Sequence, residues 1–506
     1  MTTPARTDAR EVVLDVAGWG DDVRGRAAAG ARLVGVYGSD RGDGCRLTAV
    51  LAEQDRLGAL STIVPAGTDG VARYRSLSPE VPAAFWYERA LHDLSGVVPE
   101  GHPRLDPLLL DRGGSTPAPR PGGPAVASGG TPMAGERPGP VDVVGHGMFT
   151  LPLGPVRSGV FESIELLLET PGEDIPHVNV RPHYKHRGVA KQFEGRAPRD
   201  AVLVAERVEG ISSVAHALAF CHAVEDLAGI EVPRHARLVR VVLAELERMA
   251  NHLDVTMRLA DAAGLAVAVS RFGWHKERVL RLTSSVCGNR FGRATVGIGG
   301  LCRGLDLDTR SLAEELRALG SRIRSDIRAL EASASFLDRL RGTGPLAHER
   351  AVQHGAVGPI GRASAVDNDV RRMRPYDGYR DLPPVPAPHA WSGDVLARSR
   401  VRWEELMTSV ATLLDALDTL GRAPVPASEA TDTRVPDGLG LGSAESAQGE
   451  VVHALELSGG IVRRCFARSA SFHDLVLFHD VFTGDVFTDL PFIEASFGLG
   501  YAGVAM

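Results

Sequence analysis

The chain has 506 residues and a formal charge of −7, with 44% apolar and 24% charged residues. That length exceeds one ordinary core, so at least two domains of a globular protein are expected. The acidic balance argues against nucleic acid as the main partner, and no apolar run approaches the about 20 residues that cross a bilayer. The start, MTTPARTDAREVVLD, lacks a charged-then-apolar signal pattern. A cytoplasmic chain is therefore expected, or one held peripherally on a membrane by a partner. The five cysteines, Cys45, Cys221, Cys287, Cys302 and Cys465, form no C-x-x-C pair. They read as buried thiols in a reduced compartment, and they offer no four-thiolate set for a cluster or a zinc.

In chain order, the runs at 31–40, 45–54 and 60–67 are apolar, β-compatible and separated by Gly and Asp. A helix-compatible stretch follows at 82–96, so residues 1–112 are expected to form a small α+β domain. More than half of residues 113–140 are Gly or Pro. Such a segment buries too little to offset its ordering entropy and reads as a linker. Residues 141–506 form the larger unit: strand-like at 149–170, helical from about 200, and strand-like again from 449 toward 484. Between 308 and 341, Leu312, Leu316, Leu319, Ile323, Ile327 and Leu330 step by three and four, which predicts one helix with Asp308 as N-cap and Gly342 past its end. Around 235–263, Leu238, Val242, Leu246, Met249, Leu253 and Met257 cover a broad face, as in a helix inside a bundle.

Three polar features interrupt this pattern. RPHYKHRG, Arg181 to Gly188, gathers His183, His186 and Arg187 near a lysine; it suits an anion site or a proton path, against the plainer reading of a solvated basic turn. Glu245, Arg248 and His252 make one polar line on an otherwise apolar helix, more consistent with a self-satisfied structural network than with catalysis. In RVEGISSVAH, Glu209 and Ser212 lie three apart and His216 four later, on one helical face. That trio can relay protons or weakly hold a hard metal; alone, a capping serine and a surface glutamate are the simpler reading.

The longer stretch from Glu206 to Leu253 resembles the first metal-motif region of nickel–iron hydrogenase large subunits, above all the energy-converting group related to formate hydrogenlyase. Arg207, Val208, Gly210, Ile211, His216, Gly229, Ile230, Val232, Pro233, Glu245, Glu247, Arg248, His252 and Leu253 match its pattern. LPLGPVRSGVFES, HYKHRGVAKQFEG, GPIGRASAVDNDVRRMRPYDGY and SGDVLARSRVRWEEL are similar to further segments of that family. WYERALHDLSGVVPEGHPRLDPLLL is similar to the signature of the 30 kDa subunit of respiratory complex I, and the larger unit to its 49 kDa subunit. The two-part order is that of fused C/D subunits.

The resemblance implies a mainly helical, hydrogenase-like large domain with flanking β structure behind a 30 kDa-like α+β domain. It also locates departures. The first cysteine pair of the family falls on Glu209 and Ser212, and the second, in ASFGLGYAGVAM, on Gly500 and Gly503. Soft thiolates are what a nickel–iron centre requires, so none is expected, and no cofactor is expected on this chain. Where complex I grips quinone, Ser158 and Gly210 stand in place of His and Tyr, which weakens that alternative. The resemblance implies an iron–sulfur small subunit with a 4Fe–4S cluster and antiporter-like membrane subunits as partners, with formate dehydrogenase a further partner it admits. The chain would then sit on the inner face of the cell membrane, its Glu209, His216, His183, His186 and Arg187 lining an emptied cavity as a proton relay. A scaffold without redox role and a hydrogenase with unconventional ligands are the other readings. NAD is expected of a whole complex at most, since no strand–GxGxxG–helix unit is present.

Overall fold

A computed structural model describes residues 11–110 and 145–506, apart from 43, 54–55, 159, 161, 388, 390–391, 422–424, 429–434 and 483. The expected linker at 113–140 lies outside the described residues. The chain divides into two units, Met1–Gly139 and Pro140–Met506, and both helices and strands build it, an α+β protein.

In the first unit, β1 (Glu11–Val13), β2 (Arg32–Asp40), β3 (Gly44–Glu53) and β4 (Arg56–Pro65) form a sheet of order β1-β4-β3-β2, with β1 parallel to β4 and the other pairs antiparallel. Helix α1 (Val16–Ala28), which the sequence pattern did not single out, buries Trp19 and Val23; the Trp19 indole donates to Leu60 O at 2.8 Å. Helix α2 (Phe85–Ser95) ends at Gly96, whose φ of 69° is the left-handed cap glycine favours. The polar residues of α2 fasten loops. Glu88, fully buried, accepts from Tyr74 OH at 2.8 Å, Ser76 Oγ at 2.6 Å and Leu77 N at 2.8 Å. Asp93 accepts from Leu108 N and Leu109 N, each at 2.7 Å.

The second unit opens with an antiparallel sheet of β5 (Phe149–Leu153), β6 (Glu165–Thr170) and β7 (His177–Arg181). Its helices are α3 (Ser213–Ala228), α4 (Arg234–Ala262), α5 (Ala266–Cys287), α6 (Thr309–Glu331) and α7 (Val395–Leu420). Asp308 caps α6 by accepting from Ser311 N at 3.0 Å, and all six residues of the predicted stripe are buried. The single helix expected over 308–341 is in fact two. The chain breaks at Ala332–Ser333 and resumes at Ala334–Leu340, because Ser333 takes an extended N-cap conformation where serine is more at home than in a helix interior.

A second antiparallel sheet, β8 (Gly438–Glu445), β9 (Glu450–Ser458) and β10 (Ile461–Arg468), lies against α3. A Cβ at Gly440 or Gly442 would overlap the α3 backbone at Ala219 and Ala223, so glycine is what allows this approach. Helices α8 (Ala470–Leu475), α9 (Leu490–Phe497) and α10 (Tyr501–Val504) complete the chain. Among the described residues no helix is long and apolar enough to cross a membrane.

His354 is a buried imidazole in the helix His348–His354 with neither ring nitrogen hydrogen-bonded. Burial, aided by Arg350, holds its pKa at about 4. The unfolded chain takes up that proton near 6.5, so the stability this site contributes is complete above 6.5 and is lost as pH falls toward 4. His354→Leu should reduce the loss of unfolding free energy between pH 7 and 4.5 by about 2 kcal/mol, read by urea titration at both pH values.

Candidate functional site: a buried carboxylate between two chain segments

The backbone of 207–212 is exposed at Arg207 and Gly210, while the side chains of Glu209 and Ser212 turn inward and are buried, as is His216 in the first turn of α3. The Glu209 carboxylate meets the C-terminal segment. Its Oε1 accepts from the Ser471 hydroxyl, and Ser471 Oγ in turn accepts from Gly500 N at 3.1 Å. A Cβ at Gly503 would lie 2.6 Å from Glu209 Cδ and 2.8 and 2.9 Å from its oxygens. One at Gly500 would overlap Oε1 outright. Glu209, Gly500 and Gly503, three of the four positions at which the resemblance implies nickel ligands in the family, thus converge on one point, and the carboxylate fills it.

Ser212 does not join that point. Its hydroxyl donates to Gln448 Oε1 at 2.8 Å, in the turn between β8 and β9, and the Gln448 amide continues to Asn251 Oδ1 at 3.3 Å and Gly498 O at 3.4 Å. The oxygen–imidazole trio that spacing allowed for a hard metal is therefore not assembled, because an amide network claims the serine.

His216 faces two ways. Its Nε2 lies 3.7 Å from Glu209 Oε2, and neither atom has a hydrogen-bond partner. Its Nδ1 lies 3.0 Å from His453 Nε2, on β9, and His453 Nδ1 lies 3.6 Å from Cys465 Sγ, on β10. All four residues are at most 1% exposed. Burial, with His216 adding to it, holds the His453 pKa well below the usual imidazole range, and burial pushes the Cys465 thiol up.

The basic turn at 181–188 ties the two segments together from outside. Arg187 donates to Val208 O at 2.6 Å and Ala502 O at 2.9 Å, and His186 Nδ1 lies 2.8 Å from Ala505 O. Burial lowers the Arg187 pKa. His183 packs its ring on Tyr184, with centroids 4.2 Å apart.

Glu245, Arg248 and His252 sit in a larger buried charge network. Glu245 accepts from Arg371 at 3.0 Å and Ser409 at 2.6 Å, and also from Tyr379. Burial alone would raise the Glu245 pKa, but Arg248, Arg371 and those hydroxyls outweigh it and hold the value at about 2. His252 Nε2 lies 2.8 Å from Glu405, which Arg362 also binds at 2.8 Å; burial nevertheless lowers the His252 pKa to about 4. Arg362 continues to Glu445 at 2.9 Å, and Arg371 to Asp369 at 2.6 Å. Arg248 donates to Ser446 O and Glu445 O at 2.9 and 2.7 Å, so this network grips the β8–β9 turn that carries Gln448.

Three family models match in separate stretches: the respiratory-chain NADH dehydrogenase 30 Kd subunit at 22–120, the nickel-dependent hydrogenase at 187–256, and the respiratory-chain NADH dehydrogenase 49 Kd subunit at 264–433. The carbon monoxide-induced hydrogenase of Rhodospirillum rubrum is 30% identical over 315 residues, 62% of this chain and 86% of that protein. The chain belongs to the family of hydrogenase and complex I large subunits. Formate hydrogenlyase subunit 5 of Escherichia coli K12 is 29% identical over 84% of this chain and 75% of its own length. The fused C/D protein of the NADH-quinone oxidoreductase of Acinetobacter baumannii strain AYE is 28% identical over 75% of this chain and 66% of its own. A chain of the archaeal membrane-bound sulfane sulfur reductase shares the fold, with a TM-score of 0.65 at 22% identity, over 72% of this chain and all of that one. The hydrogenase match spans the basic turn from Arg187, Glu209, His216 and the polar line, whereas Gly500 and Gly503 lie beyond all three models.

Sequence reasoning missed Ser471, Gln448 and His453. Only His453 carried a signal: an imidazole within EVVHALELS, at a position where a strand of an α-packed sheet would normally be apolar.

Gly503 lies in α10 without a positive φ, where alanine ordinarily stabilises by about 0.5–1 kcal/mol. Here the Glu209 carboxylate reverses the sign, and Gly503→Ala should destabilise by about 1–3 kcal/mol. In a Glu209→Ala background that cost should vanish; a double-mutant cycle by chemical denaturation reads the coupling, and additive effects would contradict the packing.

Proposed function

We propose that this chain is the large peripheral subunit of a membrane-bound oxidoreductase complex, without a nickel–iron centre of its own. In it, the buried Glu209–His216 pair handles protons in step with electron transfer through a partner's iron–sulfur cluster. The single observation behind the reading is the Glu209 carboxylate seated against Gly500 and Gly503. Oxygen and bare backbone supply no soft ligand, and the carboxylate already fills the room two thiolates would need. What the pocket offers instead is an acid–base pair, two buried polar atoms facing each other at 3.7 Å without other partners.

The relatives' names support the setting: a hydrogenase, a formate hydrogenlyase subunit and an NADH-quinone oxidoreductase subunit are all parts of oxidoreductases. On this reading the chain binds an iron–sulfur small subunit and antiporter-like membrane subunits, which hold it at the inner face of the membrane. No observation favours quinone in the pocket. Ser158 and Gly210, which stand at the expected quinone-gripping positions, are both exposed.

Two measurements test the proposal. The complex purified through this chain should contain far less than one nickel per chain by elemental analysis; stoichiometric nickel would overturn the reading. In membrane vesicles holding the assembled complex, Glu209→Gln should lower proton-coupled electron transfer at least a hundredfold, within the about 10²–10⁴ range of a lost acid–base group, while leaving co-purification intact. Unchanged turnover would retire the relay.

A further inference from the structure

The relay reading leaves open which member of the pair carries the proton, and the groups behind His216 decide it. His216 Nδ1 and His453 Nε2 are 3.0 Å apart, so one of them bears the hydrogen and the other accepts it. The next link, His453 Nδ1 to Cys465 Sγ, offers two arrangements.

In the first arrangement the thiol donates to His453 Nδ1. His453 then donates from Nε2 to His216 Nδ1, and His216 presents Nε2–H to Glu209 Oε2. The thiol and His453 hydrogens each have an acceptor, and the His216 hydrogen faces the carboxylate at 3.7 Å. In the second arrangement His453 donates to sulfur, His216 donates to His453, and His216 Nε2 faces the carboxylate with a bare lone pair. A neutral thiol sulfur is a weak acceptor, and two opposed lone pairs in a dry site are costly. The strands enforce the geometry: Leu455 pairs with Cys465 and His453 with Ala467, so His453 and Cys465 are diagonal neighbours on one sheet face. Phe193 and Phe220 stand edge-on to the His453 ring at 6.0 and 5.8 Å. They wall it with apolar surface. The low pKa of His453 keeps that ring neutral, as the arrangement requires.

We propose that Cys465 and His453 are positioning residues that lock His216 in its Nε2–H tautomer, making His216 a fixed donor and Glu209 the group that carries the transferred proton. The inference rests on the relay reading for its consequence. Proton uptake breaks an O–H bond of an incoming water or hydronium and forms one at the Glu209 carboxyl, and release reverses it; His216 keeps its own hydrogen throughout. With His216 Nδ1 occupied by the His453 hydrogen, the imidazole has no free acceptor to take a second proton. The thiol, fully buried, ends the chain, so the line behind His216 is a brace and not a conduit.

The test is the histidine tautomer in the full chain labelled with ¹³C and ¹⁵N at histidine, with the His216 signals identified by their loss in His216→Gln. The expected result is a protonated Nε2 on His216 from pH 6 to 8. Cys465→Ala should raise the Nδ1–H form at least fivefold, and Cys465→Ser, which keeps a donor, should restore the original tautomer. If the alanine variant does not fold, His453→Gln provides the second test. Its amide can still donate to His216 Nδ1 and should preserve the tautomer, whereas His453→Met should not. An Nδ1–H signal in the unaltered chain, or no response to removal of the donor, would overturn the lock. Failure of the relay reading is separate: unchanged turnover in Glu209→Gln leaves the tautomer result standing.

Discussion

The constraint on which this site depends is steric: the Glu209 carboxylate and a side chain at 500 or 503 cannot occupy the same space. Glycine at both positions lets the C-terminal segment close over the carboxylate, and Ser471 then links Glu209 to the Gly500 amide through one hydroxyl. A carboxylate so enclosed is expensive unless its oxygens are paired. One is paired with Ser471. The other has no hydrogen-bond partner and faces the His216 imidazole at 3.7 Å.

Around that point a buried charge network holds two things still. Arg248, Arg362 and Arg371 bind Glu245, Glu405, Glu445 and Asp369, and fix the β8–β9 turn against α4 and α7. Arg398 and Arg402, with burial lowering their pKa values to about 9 and about 10, give their hydrogens to carbonyls and, from Arg398 Nε, to the Ser496 hydroxyl, instead of to carboxylates. Arg402 donates to Ser496 O and Phe497 O at 2.9 and 2.7 Å, at the end of α9, so the backbone leading to Gly500 is clamped. Removing one charge from such a set leaves another unpaired, which typically costs about 3–5 kcal/mol. The network is therefore better understood as a device for position than as a source of net stability.

Much of this was legible in the sequence where the signal was periodic. The stripe from Leu312 to Leu330, the Asp308 cap and the apolar faces of α4 all follow from helical spacing. The break at Ser333 was not visible, because the stripe ends at Leu330 and only the backbone of Ser333 shows where the first helix stops. Glu209 and His216 could be paired from spacing alone, but their partners could not. His453, Ser471 and Gln448 come from strands, helices and turns far along the chain, and no local rule brings them together. Ser212 illustrates the limit: spacing put it on one helical face with Glu209, yet both precede α3 and its hydroxyl belongs to a different network.

A metal bound between distant segments contributes folding energy, because the preformed site does not exist in the unfolded chain. A scaffold that gives up such a site must hold the same segments by other means or let them part. On the reading proposed above, hydrogen bonds do that work here. Arg187 bridges Val208 and Ala502, His186 reaches Ala505, Ser471 joins Glu209 to Gly500, and Gln448 joins Ser212 to Gly498. Each ligand position of the first pair is thereby connected to the C-terminal segment through a hydrogen-bonding side chain rather than through a shared ion. The substitution changes what the enclosure can do. A carboxylate facing an imidazole offers acid–base chemistry, while sulfur-bound metal trades electrons. The closed geometry and the acid–base contents of this pocket thus arise together, from one carboxylate packed against two glycines.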